Sequence, residues 1–171
     1  MSATPPPASR APCTRPGAIA GDVAPLPVPG SRTPCACGRT GCLQATASDT
    51  ALGAEAVRRG ILPGPSVPLL VDAAATGDPR ADRLLRVRAR AVGRAAAPLL
   101  DVFNPAVTVV TELSSGLHDG YLDEIREAAA ALSGVRRGPG RTVGPSAGPA
   151  VLPGAATVLL HPLFRAPSPL R

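Results

Sequence analysis

The stretch Cys-Ala-Cys-Gly-Arg-Thr-Gly-Cys, at residues 35–42, is the feature around which this sequence is organised. It places three thiols in the spacing C-x-C-x4-C, at Cys35, Cys37 and Cys42. Zinc prefers four tetrahedral ligands, and cysteine thiolates are among its best. Gly38 and Gly41 can adopt positive φ angles, which lets a short loop turn its sulfurs toward one point. The pattern therefore favours a zinc loop with these three cysteines as ligands.

The same cysteines leave other interpretations open. A disulfide is one, although Cys35 and Cys37 make a poor pair, and free or incidentally oxidised thiols are another. Nothing in the sequence suggests export, which favours reduced thiols. A further cysteine, Cys13, lies in a Pro-rich segment. We expect it to be a lone exposed thiol rather than a fourth metal ligand.

Continued through Leu43 and Gln44, the cysteine stretch resembles the signature C-x-C-G-x-x-G-C-L-E of the ROK family, which groups sugar-responsive repressors with sugar kinases. Upstream, residues 17–25 read GAIAGDVAP and resemble the family's G-x-x-A-G-E-I-G-H. In the family, the Glu and His of that run contact the sugar, the His is also the fourth zinc ligand, and the Glu that closes the cysteine motif is a further sugar contact. The resemblance places Asp22 and Pro25 at that Glu and His, and Gln44 at the closing Glu.

These substitutions predict a degenerate sugar site at Asp22 and Gln44. Aspartate is one methylene shorter than glutamate, glutamine lacks the charge, and the side chain of Pro25 can neither ligate zinc nor hydrogen-bond a hydroxyl. We therefore expect a sugar effector to bind weakly or not at all. We also expect zinc to be held by Cys35, Cys37 and Cys42, with the fourth position open and the affinity reduced.

Composition describes an ordinary soluble chain with a small-residue core. Of its 171 residues, 44% are hydrophobic but only 2% aromatic, so the core must be built from Ala, Leu and Val. The net charge is +6, and all 18 basic residues are Arg. The arginines cluster most densely at 80–94, on one predicted helix, and no helix-turn-helix accompanies them, so we expect no direct DNA binding. No apolar run is long enough to span a membrane, which predicts a cytoplasmic protein.

The pattern predicts a disordered Pro-rich leader at 1–16, a sugar and zinc loop region at 17–44, and helices with a short β-layer at 45–171. Residues 43–59 are helix-permissive, with Ser48 and Asp49 as an alternative cap for a helix from Thr50. Further elements are expected along the rest of the chain. They are helices at 67–75, 79–103 (capped by Asp78 and kinked at Pro98), 121–132 and 151–160, a buried parallel strand at 107–111, and a brief strand at 142–143.

On the helix at 79–103, the apolar face is predicted from residues spaced by three and four: Leu84, Val87, Ala91, Ala95, Leu99 and Val102. The order of helices and strands predicts an α/β layer. The resemblance implies that 17–171 is the C-terminal lobe of an actin-like ATPase fold of the ROK type, incomplete and carrying the cysteine-rich zinc loop.

The resemblance also implies what function to expect. The D-x-G-x-T phosphate turn and the Asp general base of ROK kinases are not found upstream of residue 17, and the family's Gly-rich turn is replaced at Thr111–Gly116. We therefore expect no enzyme activity and no nucleotide, and interpret the chain as a truncated ROK transcriptional regulator without its own DNA-binding domain. It would pair with itself or with a full-length ROK regulator. The alternatives are a zinc-stabilised protein-interaction module and a remnant of a ROK sugar kinase.

Overall fold

The computed structural model describes residues 22–105, 108–110, 119–134 and 142–143. Helices and two short strands follow one another in these residues. They are α1 (Leu43–Ala47), α2 (Asp49–Arg58), α3 (Val67–Ala75), α4 (Pro79–Phe103), β1 (Thr108–Val109), α5 (Asp119–Leu132) and β2 (Thr142–Val143). The predicted leader at 1–16, Cys13, the turn at 111–116 and the predicted helix at 151–160 lie outside the described residues.

Two helices, α1 and α2, follow the cysteine stretch. The backbone at Ser48 is extended, with ψ of 159°, so it interrupts the helix-permissive run between them. The Ser48 side chain accepts a hydrogen bond from the amide of Ala51, at 3.2 Å, and thereby caps α2. The alternative cap near Ser48 is thus confirmed, with the helix beginning at Asp49 rather than Thr50.

The long helix α4 has the predicted bounds. Asp78 caps its first turn by accepting from the amides of Arg80 and Ala81. The helix continues through Pro98 and ends at Asn104, whose φ of +39° is left-handed. α4 is therefore a continuous helix of 25 residues along which the other helices can pack.

The buried surface of α4 differs from the prediction. Val87 and Val102 were expected in the core, but they are 48% and 75% exposed. The prediction was wrong for these two residues because α4 packs against α5 on one side and against α1 and α3 on another. Small residues, rather than a single stripe of large ones, supply much of this contact: Ala81, Ala89, Ala91, Gly93, Ala95 and Ala97 are all buried.

The main core lies where α4 meets its neighbours. It contains large side chains that are almost fully buried, among them Leu70 of α3, Leu85 of α4, and Tyr121 and Ile125 of α5. Burying side chains of this size contributes about 1.5–3 kcal/mol each. Because only one of them is aromatic, the core depends on close helix packing, as the composition predicted.

Ion pairs join α4 to α5 beside this core. Glu124 accepts from Arg90 at 2.7 Å and from Arg86 at 3.3 Å. Arg86 also pairs with Asp82 at 2.9 Å, and Asp82 accepts from the Tyr121 hydroxyl at 2.8 Å. The hydrogen bond with Asp82 is the main reason that the pKa of Arg86 is raised. Part of the arginine cluster on α4 is thus engaged by carboxylates of the chain itself.

The two strands β1 and β2 are parallel, with Thr108 opposite Thr142 and Val109 opposite Val143. The predicted parallel direction and the brief strand at 142–143 are confirmed. Of the strand expected over 107–111, the described residues 108–110 contain a strand at Thr108–Val109, and Val109 is 56% exposed rather than buried. Among the described residues, this strand pairs with β2 alone. Among the described residues, no helix has both the length and the apolar character that crossing a membrane would require.

Replacing Gly93 with alanine tests the close approach of α4 and α5. A Cβ at Gly93 would lie 2.3 Å from the carbonyl oxygen of Ile125 and 2.9 Å from Cβ of Ala128. We expect Gly93→Ala to lower the free energy of unfolding by a net ~1–2 kcal/mol, since overpacking outweighs the gain in helix propensity. Gly53→Ala in α2 is the matched comparison, since its Cβ would lie 3.1 Å from Cβ and 3.3 Å from Cα of Pro65, and this milder crowding should cost less stability than Gly93→Ala. Urea unfolding in which Gly93→Ala is as stable as the unchanged protein would contradict this packing.

Candidate metal centre

The cysteine stretch forms the second arm of an antiparallel hairpin. Cys42 bridges to Pro27, the amide of Val28 donates to Gly41 at 2.7 Å, and the amide of Leu43 donates to Leu26 at 2.7 Å. Prolines cannot donate to a ladder, so the pairing stays short and irregular. These bonds nevertheless fix the base of the loop on both sides of Cys42.

A tight turn closes the tip of the hairpin. The amide of Cys35 donates to the carbonyl of Arg39, and the amide of Gly38 donates back to that of Cys35, both at 2.9 Å. Gly38 has a φ of +86°, which an L side chain rarely adopts. The turn therefore bends the chain between Cys35 and Cys42 so that the three sulfurs converge.

The sulfur atoms of Cys35, Cys37 and Cys42 all lie within 4.8 Å of one another. The sulfurs of Cys37 and Cys42 are 3.6 Å apart. Tetrahedral zinc with Zn–S bonds of about 2.3 Å spaces its sulfurs about 3.8 Å apart, so the cluster fits such an ion without large movement. Cys42 is 2% exposed, while Cys35 and Cys37 are half-buried. The predicted convergence of these three residues is confirmed, and they are able to hold a metal ion.

Without a bound cation, the surroundings of the thiol cluster favour the protonated form of Cys42. Burial, followed by hydrogen bonds with Cys37 and Cys35, raises the pKa of Cys42 to about 11. With three sulfurs so close, each thiolate also disfavours the next. A divalent cation reverses this balance, because coordinated thiols lose their protons and become the favoured form.

The loop sits on α1 and α4. Val28 packs into a second buried cluster, together with Ala47, Ala91 and Ala95. The hydroxyls of Ser31 and Thr46 share a hydrogen bond at 2.8 Å. Arg88 of α4 donates to the carbonyl of Ala47 at 2.9 Å and pairs with Asp49 at 2.6 Å. No sequence motif marks Ser31 or Arg88, and their roles follow only from the folded contacts.

The two residues predicted as sugar contacts lie on adjoining segments. The amide of Gln44 donates to the carbonyl of Ala24 at 3.0 Å, and the amide of Ala24 donates to Oδ1 of Asp22 at 2.9 Å. Asp22 and Gln44 are both exposed. The hairpin thus joins the segment of Asp22 to that of Gln44 by a backbone hydrogen bond, next to the cysteine stretch. Sugar binding by these residues stays a prediction.

The cysteine hairpin, the helices and the parallel strand pair belong to an actin-like ATPase fold of the ROK type, which the fold of solved ROK structures supports. The family model for the ROK family matches residues 16–141, and the chain belongs to this family. The family resemblance inferred from the two sequence motifs is confirmed.

Solved structures share this fold. ROK hexokinase from Thermus thermophilus has a TM-score of 0.63 at 28% identity, over 86% of this chain and 49% of that one. A ROK glucokinase from Streptomyces griseus, solved with glucose and AMPPNP, has 0.59 at 26%, over 74% and 46%. A ROK transcriptional regulator, a homolog of the E. coli MLC protein, has 0.64 at 23%, over 80% and 37%, which supports the fold alone.

Sugar kinases are also found among the curated relatives. N-acetylmannosamine kinase of Yersinia pestis (strain Pestoides F) is 33% identical over 105 residues, covering 61% of this chain and 35% of the kinase. The same figures hold for the enzyme of Yersinia pseudotuberculosis (strain YPIII). The chain thus spans about a third of the length of these relatives.

These relatives correct the expectation that the chain is not an enzyme. The hexokinase, the glucokinase and the N-acetylmannosamine kinases are named for phosphoryl transfer to sugars, and they match this chain at 26–33% identity. The prediction was wrong because it relied on motifs outside the matched region and on a single replaced turn. The sugar kinases match at 26–33% identity, and the regulator, at 23%, shares the fold alone.

Two glycines of the loop provide a matched test of its geometry. Both have positive φ, +71° at Gly41 and +86° at Gly38, so alanine at either should cost about 1–2 kcal/mol in backbone strain. At Gly41 the new Cβ would also lie 2.5 Å from the carbonyl oxygen of Ser31, whereas at Gly38 nothing lies within 4 Å. We expect Gly41→Ala to destabilise the protein more than Gly38→Ala and to speed the reaction of Cys42 with a thiol reagent. Equal effects of the two substitutions would contradict the described loop.

Proposed function

We propose that this chain supplies the metal-stabilised, sugar-facing part of a ROK sugar kinase. The observation that carries the proposal is the hydrogen bond from Gln44 to Ala24, which holds the segments of Asp22 and Gln44 side by side at the base of the thiol cluster. The family resemblance assigns sugar contacts to these two positions. The kinase names of the relatives supply the activity, and they favour a hexose or an N-acetylated amino sugar as the substrate class.

In this proposal the metal is zinc, and its role is structural. Cys35, Cys37 and Cys42 would hold it, and the zinc would supply the positive charge that three neighbouring thiolates need. Because Cys42 immediately precedes α1 and pairs with Pro27, fixing its sulfur also fixes both arms of the hairpin. The ion thereby orders the sugar-facing residues without contacting the sugar.

Sugar recognition would depend on one charged and one neutral side chain. Ala24 donates to Oδ1 of Asp22 and so orients the carboxylate, leaving a sugar hydroxyl to donate to Oδ2. Gln44 can donate to or accept from a hydroxyl, but it lacks the charge of the family's glutamate. Hydrogen bonds to charged groups contribute about 1.5–3 kcal/mol each, so we propose that sugar binds this site weakly, in the millimolar range.

Zinc content tests the metal part of the proposal. We expect about one zinc ion per chain in protein purified without chelator, measured by elemental analysis. Cys42→Ser should remove most of it, whereas Cys13→Ser, the matched control, should leave it unchanged. Pro25→His should tighten binding by adding a fourth ligand. A zinc-free preparation whose thiols titrate freely would contradict the proposal.

Restoring the family's glutamate tests the sugar part. We expect Gln44→Glu to tighten binding of glucose or N-acetylmannosamine by about 10–100-fold, because it adds one charged hydrogen bond. Isothermal titration calorimetry measures the affinity. Thr50→Glu, which adds the same charge at an exposed position of α2, should not change it.

Sugar-dependent ADP formation, measured in a coupled assay on the same proteins, addresses the activity. ADP formation that increases with Gln44→Glu supports the kinase proposal. If neither protein binds sugar or forms ADP at high sugar concentration, the kinase proposal is overturned.

The effector-binding part of a sugar-responsive ROK regulator is the second candidate. What favours it is the replacement of the family's Gly-rich nucleotide turn by the sequence at Thr111–Gly116. Sugar binding with no ADP formation in either protein would support this candidate over the first. In both cases the partner that we propose is a second copy of this chain or a full-length ROK protein.

A further inference from the structure

We propose that Cys37 and Cys42 are a site of reversible oxidation, at which hydrogen peroxide forms a disulfide and expels the metal ion. The inference rests on the proposed metal centre for its second half only. Its first half, the pairing of these two cysteines, depends on the positions of the sulfurs alone. The oxidant is a two-electron peroxide, and a dithiol reductant would reverse the change.

Exposure sets the order of the two chemical steps. Cys42 is 2% exposed and cannot be reached from solvent, whereas Cys37 is half-buried on the turn. We therefore expect hydrogen peroxide to react with Cys37 before it reacts with Cys42. The Cys37 thiolate attacks one peroxide oxygen, the O–O bond breaks, and the departing hydroxide takes up a proton from solvent, so the products are a sulfenic acid and water.

Proximity decides what happens to that sulfenic acid. The sulfur of Cys42 lies 3.6 Å from that of Cys37. Its attack on the Cys37 sulfur forms the S–S bond and breaks the S–O bond. The departing hydroxide becomes a second water by taking a proton, from the Cys42 thiol in the metal-free protein or from solvent where the metal holds Cys42 as a thiolate. Across the two steps, two thiols are oxidised and one peroxide is reduced to two waters.

Backbone contacts make Cys37, rather than Cys35, the partner of Cys42. Cys35 is held at both its amide and its carbonyl, which bond to Arg39 and Gly38. Cys37 lies within the turn that these bonds close, with its sulfur 3.6 Å from that of Cys42, and Cys42 is joined to Pro27 by a backbone bridge. The turn therefore needs to shift only slightly to bring the Cys37 sulfur into bonding distance of Cys42.

Metal release follows from the ligand count. A disulfide sulfur is no longer a thiolate, so the reaction removes two of the three sulfur ligands and leaves Cys35. A single thiolate does not retain zinc at a structural site. Oxidation would thus release the ion from the hairpin that carries Asp22 and Gln44.

The sequence allows a direct test by tryptic mapping. Trypsin cleaves after Arg32, Arg39 and Arg58, which puts Cys35 and Cys37 on residues 33–39 and Cys42 on residues 40–58. Protein with Cys13→Ser is loaded with zinc, treated with hydrogen peroxide, alkylated and digested. We expect the two peptides to be joined by a disulfide, in proportion to the zinc released into a colorimetric chelator.

Single substitutions identify the pair. Added to the Cys13→Ser protein, Cys35→Ser should still give joined peptides, whereas Cys37→Ser should give none. Repeating the reaction on zinc-free protein separates this inference from the metal proposal, because the same link should form there. A disulfide confined to residues 33–39, joining that is lost with Cys35→Ser, or complete oxidation to sulfinic acid without joining would overturn the inference, as would retention of zinc by the linked protein.

Discussion

The structure of the loop region depends on the convergence of three sulfur atoms within 4.8 Å. Burial, followed by hydrogen bonds with Cys37 and Cys35, raises the pKa of the Cys42 thiol, and thiolates held this close together also repel one another. A bound cation makes the same geometry favourable. Cys42 is also the residue that joins the hairpin to α1, so the cluster lies next to the ladder that joins the segments of Asp22 and Gln44.

The helical layer provides the rigid support that such a loop needs. α4 is buried on two sides, and small residues let α5 approach closely at Gly93 while Ala91 and Ala95 receive Val28 of the hairpin. Ion pairs of Glu124 with Arg86 and Arg90 also connect α4 to α5. A site built on packed helices is held more precisely than one carried by loops alone. Here α4 contacts both the main core and the cysteine hairpin.

Local chemistry made part of this structure predictable from sequence. Asp78 and Pro79 specify the start of α4, Asn104 its end, and the glycine positions of the cysteine loop the convergence of the thiols. The exposure of Val87 and Val102 was not predictable, because a periodic pattern reveals one apolar face and α4 uses two. Ser31 and Arg88 act through contacts between distant parts of the chain, which no local motif records.

X-ray absorption at the zinc edge of the zinc-loaded protein tests the central claim most directly. The account predicts three sulfur neighbours at about 2.3 Å and one lighter nitrogen or oxygen neighbour. Substituting Cys13 should leave this spectrum unchanged, and substituting Cys37 should reduce the sulfur count by one. A coordination sphere of nitrogen and oxygen alone, or a fourth sulfur that disappears with Cys13, would contradict the account.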